Sequence, residues 1–330
     1  MVTLYLAIPC YNEEKVLRDT SLKLLKKYSQ LISEKKISEK SRIVYIDDGS
    51  KDKTWELIKE LNDSSPFILG LKMSRNRGHQ NALYGGLMTV KDYADVVISI
   101  DADLQDDINA IDKMLDKYNE GCDIVYGVRK KRETDTFFKR FTAEAFYKML
   151  KSMGAEVVFN HADFRLMSKR ALEAFAEFKE VNLFLRGMVP MVGFKTGIVE
   201  YDRFERTAGE SKYPLTKMIA LAWQGVTSLS IKPIRMIMWL GIFIFIVAIL
   251  FGLYSLCSYF FGYTVSGWTS TFISIWAIGG LQLFAIGVIG EYLGKVYLET
   301  KQRPRYIVEE FITDDVKATI NNNENLYEVK

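Results

Sequence analysis

A chain of 330 residues, 48% hydrophobic and 26% charged, is composed like an ordinary globular protein and is long enough for one sizeable domain with an appendage. Its net charge of +3 is too small to point to nucleic acid. Its three cysteines, Cys10, Cys122 and Cys257, form neither a CxxC pair nor a disulfide framework, which fits a reducing compartment.

The N-terminus, MVTLYLAIP, runs straight into a strand-like stretch at residues 4–8. It has no basic segment or small-residue cleavage site, so no signal peptide is expected. Pro9 ends that strand, and a helical stretch follows from Asn12. A second strand, residues 42–46, ends at Asp47-Asp48-Gly49-Ser50, with Ser50 or Asp52 available to cap the next helix. A third covers residues 68–73; after Gly78 the pattern predicts a helix through Ala82 and Leu87. A fourth, residues 96–100, ends at Asp101. This alternation predicts an α/β fold with a mostly parallel sheet and helices on both faces. Ligands of such sheets bind beyond the carboxyl ends of the strands, where the acidic clusters lie.

Asp101-Ala102-Asp103 follows the apolar run Val-Val-Ile-Ser-Ile. Two carboxylates at i and i+2 with a small residue between them can reach one hard cation, and Gln105 offers a third oxygen. Mg²⁺ and Mn²⁺ take such donors, commonly together with substrate phosphates. In the second cluster a carboxylate of Asp47 or Asp48 can accept from a base N–H or a ribose hydroxyl; a capped helix start explains half the motif without a ligand. In Pro9-Cys10-Tyr11-Asn12-Glu13-Glu14, Tyr11 can stack and Glu13 can hydrogen-bond; a strand-to-helix turn with an acidic first turn fits equally.

Between Arg129 and Lys151 there are eight basic and three acidic residues, interleaved with Phe137, Phe138, Phe141, Phe146, Tyr147 and Leu150. That pattern predicts an amphipathic interfacial helix at about 136–152, the alternative being a solvated helix packed on the domain. His79 and His161 are too far apart, and without Cys partners, to suggest zinc; both read as hydrogen-bonded structural histidines. Residues 213–231 read as a companion juxtamembrane helix.

Residues 236–290 contain no Asp, Glu, Lys or Arg. Two apolar segments there, at about 234–261 and 268–292, each exceed the ~20 residues that span a bilayer core. A pair of buried core helices would ordinarily keep a polar face. Lys232 and Arg235 flank the first span and Lys295, Lys301, Arg303 and Arg305 follow the second, so both termini are expected in the cytoplasm. The domain plan is a cytoplasmic catalytic region at 1–212, two spans within 232–298 and a tail at 299–330, disordered after about Thr313.

The set IPCYNEE, IDDGSKDKT, SRNRGHQNAL, DADLQ, HADFRL and RTAGESKY resembles family 2 glycosyltransferases of the GT-A fold. The likeness is to the polyprenyl-phosphate branch, which includes dolichol-phosphate mannose synthases and bactoprenol glucosyl- and N-acetylglucosaminyltransferases. It runs from about Leu4 to Tyr306 and takes in the paired spans and GEYLGKVYLETKQRPRY. The resemblance implies that Pro9, Tyr11, Glu13, Asp101 and an Asp of the 47–48 pair hold the nucleotide sugar, a UDP-sugar. It implies Mg²⁺ or Mn²⁺ on Asp101, Asp103 and Gln105. Arg206, Ser211 and Lys212 would belong to a loop closing over the diphosphate and acceptor, and Arg129 and Arg140 would receive the lipid phosphate. Relatives often carry a serine shortly after that second Arg, where this chain has Thr142-Ala143-Glu144. Related transferases place a general base near Asp163. A phosphate monoester is largely ionised at pH 7, so Asp163 is read as an orienting residue.

The activity so implied is inverting, metal-dependent transfer of a hexose, glucose favoured, to undecaprenyl phosphate. UDP-N-acetylglucosamine and GDP-mannose are the alternative donors, and relatives suggest a homo-oligomer, possibly a tetramer. A processive polysaccharide synthase would usually add further spans and a QxxRW motif, which this chain lacks. A catalytically dead membrane scaffold would not need both Asp101 and Asp103.

Overall fold

The structure, a computed structural model, describes residues 1–129, 161–202, 232–261 and 267–313. They form two compact units. One holds residues 1–129, 161–202 and 303–313, the other residues 232–261 and 267–302.

In the first unit the strands are β1 (Leu4–Cys10), β2 (Arg42–Asp47), β3 (Ile68–Met73), β4 (Val96–Ser99), β5 (Ile124–Arg129), β6 (His161–Ser168), β7 (Thr196–Tyr201) and β8 (Val308–Ile312). The helices are α1 (Leu17–Ser33), α2 (Thr54–Ser64), α3 (His79–Val90), α4 (Ala110–Asn119), α5 (Lys169–Ala176) and α6 (Leu185–Met191). The eight strands make one sheet in the order β7-β5-β6-β4-β1-β2-β3-β8. β4, β1, β2 and β3 run parallel to one another, whereas β6 runs antiparallel to β4 and β5, and β8 antiparallel to β3. The predicted α/β class and mostly parallel sheet are what the chain forms.

Every residue of β1 is buried, as a central strand covered on both faces requires. Leu4, Leu6 and Ile8 pack with Leu17, Leu24, Tyr28 and Leu31 of α1, with Ile58 of α2, and with Ile111 and Met114 of α4. Tyr5 and Ala7 point the other way, towards Ala82, Leu83 and Leu87 of α3, Leu172 and Phe175 of α5, and Met188 of α6. The two cores are therefore set by strand alternation, and each large apolar side chain buried stabilises by about 1.5–3 kcal/mol. Pro9 is tolerated in this central strand for a local reason. Ala7, two residues earlier, accepts from Ile100 on the β4 side, and the β1–β4 pairing ends at Ala7. The N–H that Pro9 lacks would face that finished edge.

The helix predicted from Asn12 starts at Leu17. Asn12 takes φ 57°, a left-handed conformation, because its backbone and side chain brace the neighbouring loop. The stretch after residue 302, read as a tail, supplies β8 at the sheet edge. It is fastened there by Lys72–Glu309 (2.8 Å) and Lys59–Glu310 (3.2 Å), and by Arg305, which stacks on Tyr84 at 4.6 Å and donates to the Phe178 carbonyl.

The second unit contains α7 (Lys232–Phe260) and α8 (Trp268–Lys301). α8 runs nine residues past its predicted end at 292. Among the described residues one helix, residues 277–301, is long and apolar enough to cross a membrane. Its Leu283, Phe284 and Ile286 side chains are largely exposed, as lipid-facing positions would be. The predicted helices at 136–152 and 213–231, the turn between the spans and the chain after 313 lie outside the described residues.

Candidate active site

The sheet order places β1 between β2 and β4, so the chain leaves β1 towards β2 and leaves β4 towards β5, in opposite directions along the sheet, and a crevice opens at their carboxyl ends. Three of the acidic motifs end strands there. β6 adds a fourth: because it is antiparallel, its beginning lies beside the end of β4, with Ser99 opposite Arg165. Asp163 thereby comes to the same rim as Asp101, although 62 positions separate them.

The loops after β1 and β2 are laced together. The Asn12 N–H donates to Ser50 Oγ (3.0 Å), the Lys51 N–H to Asn12 Oδ1 (2.8 Å) and the Glu13 N–H to Thr54 Oγ1 (2.8 Å). The Glu14 carboxylate accepts from the Lys53 N–H (3.1 Å). Asp47 and Asp48 are both buried. Asp47 accepts from the Ser50 N–H (3.2 Å), closing its own turn. Asp48 reaches across to the loop after β3, accepting from the N–H groups of Arg77 (2.7 Å) and Gly78 (2.9 Å). Burial pushes both carboxyls up, and those N–H groups pull against it. The N-cap position of α2 is Lys53, with no side-chain capping bond, in place of the expected Ser50 or Asp52; Asp52, one residue earlier, accepts from the Thr54 N–H (3.1 Å). Gly49, at φ +66°, fits because a Cβ there would lie 2.6 Å from the Asn76 nitrogen. Tyr11, just after β1, is 42% exposed.

At the end of β4 the middle residue of the acidic motif is the anchor. Ala102 is buried, and its carbonyl accepts from Thr20 Oγ1 of α1 (2.7 Å). With Ala102 held inward, Asp101 keeps 41% of its side chain exposed. Asp103 accepts from the Gln105 N–H (3.3 Å), and Gln105 is buried. Burial pushes the Asp101 carboxyl up; His79 pulls it down, while Asp163, Asp106 and Asp103 push it further up. Hard oxygen donors in a place where negative charge accumulates suit Mg²⁺ or Mn²⁺. Among the described residues no group of three His, Cys, Asp or Glu side chains gathers as a complete metal cage. A cation at this position would thus complete its shell with substrate phosphate and water, the usual arrangement for Mg²⁺.

Asp163 is held from three sides. Arg165 (3.0 Å) and Arg186 of α6 (3.2 Å) pair with its carboxylate, and His79 Nε2 lies 3.5 Å from Oδ2. The same His79 nitrogen is 3.9 Å from Asp101. Ser99 donates to the Asp163 carbonyl. Burial would push the Asp163 carboxyl up, but His79, Arg186 and Arg165 outweigh it and hold it well below the usual carboxylate range.

Arg129, the last residue of β5, pairs with the buried Asp106 (Nη2 to Oδ1, 3.0 Å) and donates from Nε to Tyr201 Oη (3.3 Å). It sits on the same rim as the DAD motif. Arg140, Arg206, Ser211 and Lys212 lie outside the described residues. Sequence reasoning missed Asp106, Arg186 and Tyr201 and set His79 aside as structural. A signal existed for two of them: His79 directly follows Gly78 where α3 begins, and Asp106 extends the DADLQ run by one residue.

The chain matches the family described as glycosyl transferase family 2 over residues 5–175. It is 51% identical over 306 residues to the uncharacterized glycosyltransferase YkoT of Bacillus subtilis (strain 168), covering 93% of this chain and 91% of the relative. It is 40% identical to the bactoprenol glucosyl transferase of Shigella phage SfX, covering 92% of this chain and 98% of that protein. It is also 40% identical to the prophage bactoprenol glucosyl transferase homolog of Escherichia coli (strain K12), covering 92% and 97%. The chain belongs to glycosyl transferase family 2 and is a glycosyltransferase with an α/β fold.

Proposed function

We propose that this protein transfers glucose from UDP-glucose to undecaprenyl phosphate, with inversion, at the cytoplasmic face of the membrane. The observation that carries this reading is the likeness, over nine-tenths of the chain, to proteins named bactoprenol glucosyl transferases. The site is compatible with it at each step. Tyr11 and the Asp47–Asp48 pair border the place for the nucleoside; Asp101 and Asp103 border the place for its diphosphate. A divalent cation held by Asp101, Asp103 and Gln105 would supply neutralisation of the charge that develops on the leaving diphosphate.

An oxygen of the lipid phosphate attacks the anomeric carbon while the bond to the donor's β-phosphate oxygen breaks, so UDP leaves. The acceptor is already ionised near neutral pH, with a second pKa of about 6, and needs no strong base. That agrees with an Asp163 locked between two guanidinium groups. Its part is to keep Arg186 and His79 in place around Asp101. Arg129, with Arg140 and the segment containing Arg206, Ser211 and Lys212, receives the phosphates. Catalysis then comes from alignment and charge neutralisation. The apolar C-terminal helices form a two-span anchor with both termini cytoplasmic, and the enzyme works as a homo-oligomer.

The test is a transfer assay on purified full-length protein in detergent, with undecaprenyl phosphate and Mn²⁺ or Mg²⁺. Radiolabelled UDP-glucose, UDP-N-acetylglucosamine and GDP-mannose are offered in turn. Label should enter the lipid phase from UDP-glucose and disappear with EDTA. Label from another donor would correct the sugar. No lipid label from any donor, with folded protein, would overturn the reading in favour of a scaffold.

A further inference from the structure

Asp106 lies three residues beyond Asp103, and its side chain is 1% exposed. A single oxygen, Oδ1, takes three contacts: Tyr201 Oη at 2.8 Å, Arg129 Nε at 3.1 Å and Arg129 Nη2 at 3.0 Å. Arg129 and Tyr201 are the last residues of β5 and β7 and stand side by side in the sheet register. The Tyr201 ring is fixed from its other side by Phe164 in an edge-on contact at 5.2 Å. Immediately after Arg129 the chain enters the basic, aromatic stretch of residues 130–151; shortly after Tyr201 it enters the segment RTAGESK. One carboxylate thus holds the roots of both.

A buried ion pair is a poor device for stability alone, since apolar residues of the same volume serve as well or better. Charge-assisted bonds that converge on one atom do, however, fix direction. We propose that Asp106 is a positioning residue for acceptor engagement. It ties the points where the two acceptor-side segments leave the sheet to the DAD motif, and so sets the lipid phosphate at its distance from the donor. This rests on the glucosyl-transfer reading, in which Arg129 faces the acceptor phosphate.

The experiment uses full-length protein in detergent and compares the wild type with Asp106→Asn and Tyr201→Phe. The KM for undecaprenyl phosphate is measured at saturating UDP-glucose, and the KM for UDP-glucose at saturating lipid. Asp106→Asn keeps an acceptor oxygen but loses the charge, and should raise the lipid KM about tenfold with the donor KM nearly unchanged. Tyr201→Phe loses one hydroxyl, leaves the ion pair intact and should move the lipid KM in the same direction by a smaller factor. If both KM values stay at wild-type level, or both rise together with a lowered melting temperature, Asp106 is only structural and the proposal is overturned. Should Asp106→Asn fail to fold, Tyr201→Phe decides by the same criterion. Wild-type protein that transfers nothing would overturn the glucosyl-transfer reading itself, whereas a normal wild type with an unmoved lipid KM in the variants overturns this proposal alone.

Discussion

A carboxylate that takes a proton during turnover needs a pKa near the working pH, and Asp163 is held far from that condition. Two arginines and His79 surround it, and its carboxyl stays ionised well below the usual range. Replacing it with Asn should lower kcat by about tenfold to a hundredfold, the ordinary cost of losing a residue that supports a site from behind. The pH–rate limbs should stay where they are in the wild type. Loss of an acidic limb in Asp163→Asn would instead make it the base. In the proposed reaction Asp103 serves the diphosphate. Asp103→Ala should cost about a hundredfold or more in transfer with unchanged melting temperature, and near-normal activity would remove it from the phosphate end. The carboxylates at the ends of β2 and β4 were legible in the sequence because each follows a strand that is mostly apolar. His79 and Arg186 were not, because only the antiparallel course of β6 brings Asp163 between them. No local spacing encodes that meeting.

At the level of elements, the four parallel strands were readable since each carries a run of apolar residues long enough to mark a buried strand. β5 to β8 were not. β7 alternates exposed and buried residues at a sheet edge, and β8 is five residues with two glutamates, placed by a partner more than 230 positions away. Tertiary pairing, more than propensity, makes them strands. The α1–α4 contact shows how polar residues hold the layers. Lys27, nearly buried, pairs with Asp112 at 2.5 Å, and Lys36 reaches the same carboxylate at 2.6 Å. Burial would push the Asp112 carboxyl up, yet hydrogen bonds from Lys27 and Lys36 hold it below its ordinary value. A carboxyl depressed in the folded state stabilises above its unfolded pKa of about 3.9, and that contribution is lost as pH falls through the lower folded value. Asp112→Ala should leave the Lys27 ammonium buried without its carboxylate and cost about 2 kcal/mol at pH 7. That is less than a fully buried pair, because the Lys36 arm is partly exposed. Chemical denaturation at pH 7 and at pH 3 tests this: the gap between variant and wild type should narrow in acid, and an unchanged gap would remove the ion pair from the account.

For the whole molecule, a sheet with its acidic strand ends on one rim and a charge-free stretch at residues 236–290 are both accounted for by the proposed reaction, in which the donor is soluble and the acceptor is a lipid. The proposed topology puts the turn between the two spans outside the cell. A cysteine placed there, Ser266→Cys, should react with a membrane-impermeant maleimide in intact cells, and labelling only after lysis would reverse the orientation. The identity of the bond broken in the donor tests the central claim most directly. Full-length protein is given UDP-glucose and undecaprenyl phosphate, and the released nucleotide is resolved by chromatography against the glucose recovered in lipid. The account predicts UDP in a one-to-one ratio with lipid-linked glucose. Release of UMP, which would mean that sugar and phosphate travel together, or UDP formed without any glucose in the lipid, would contradict it.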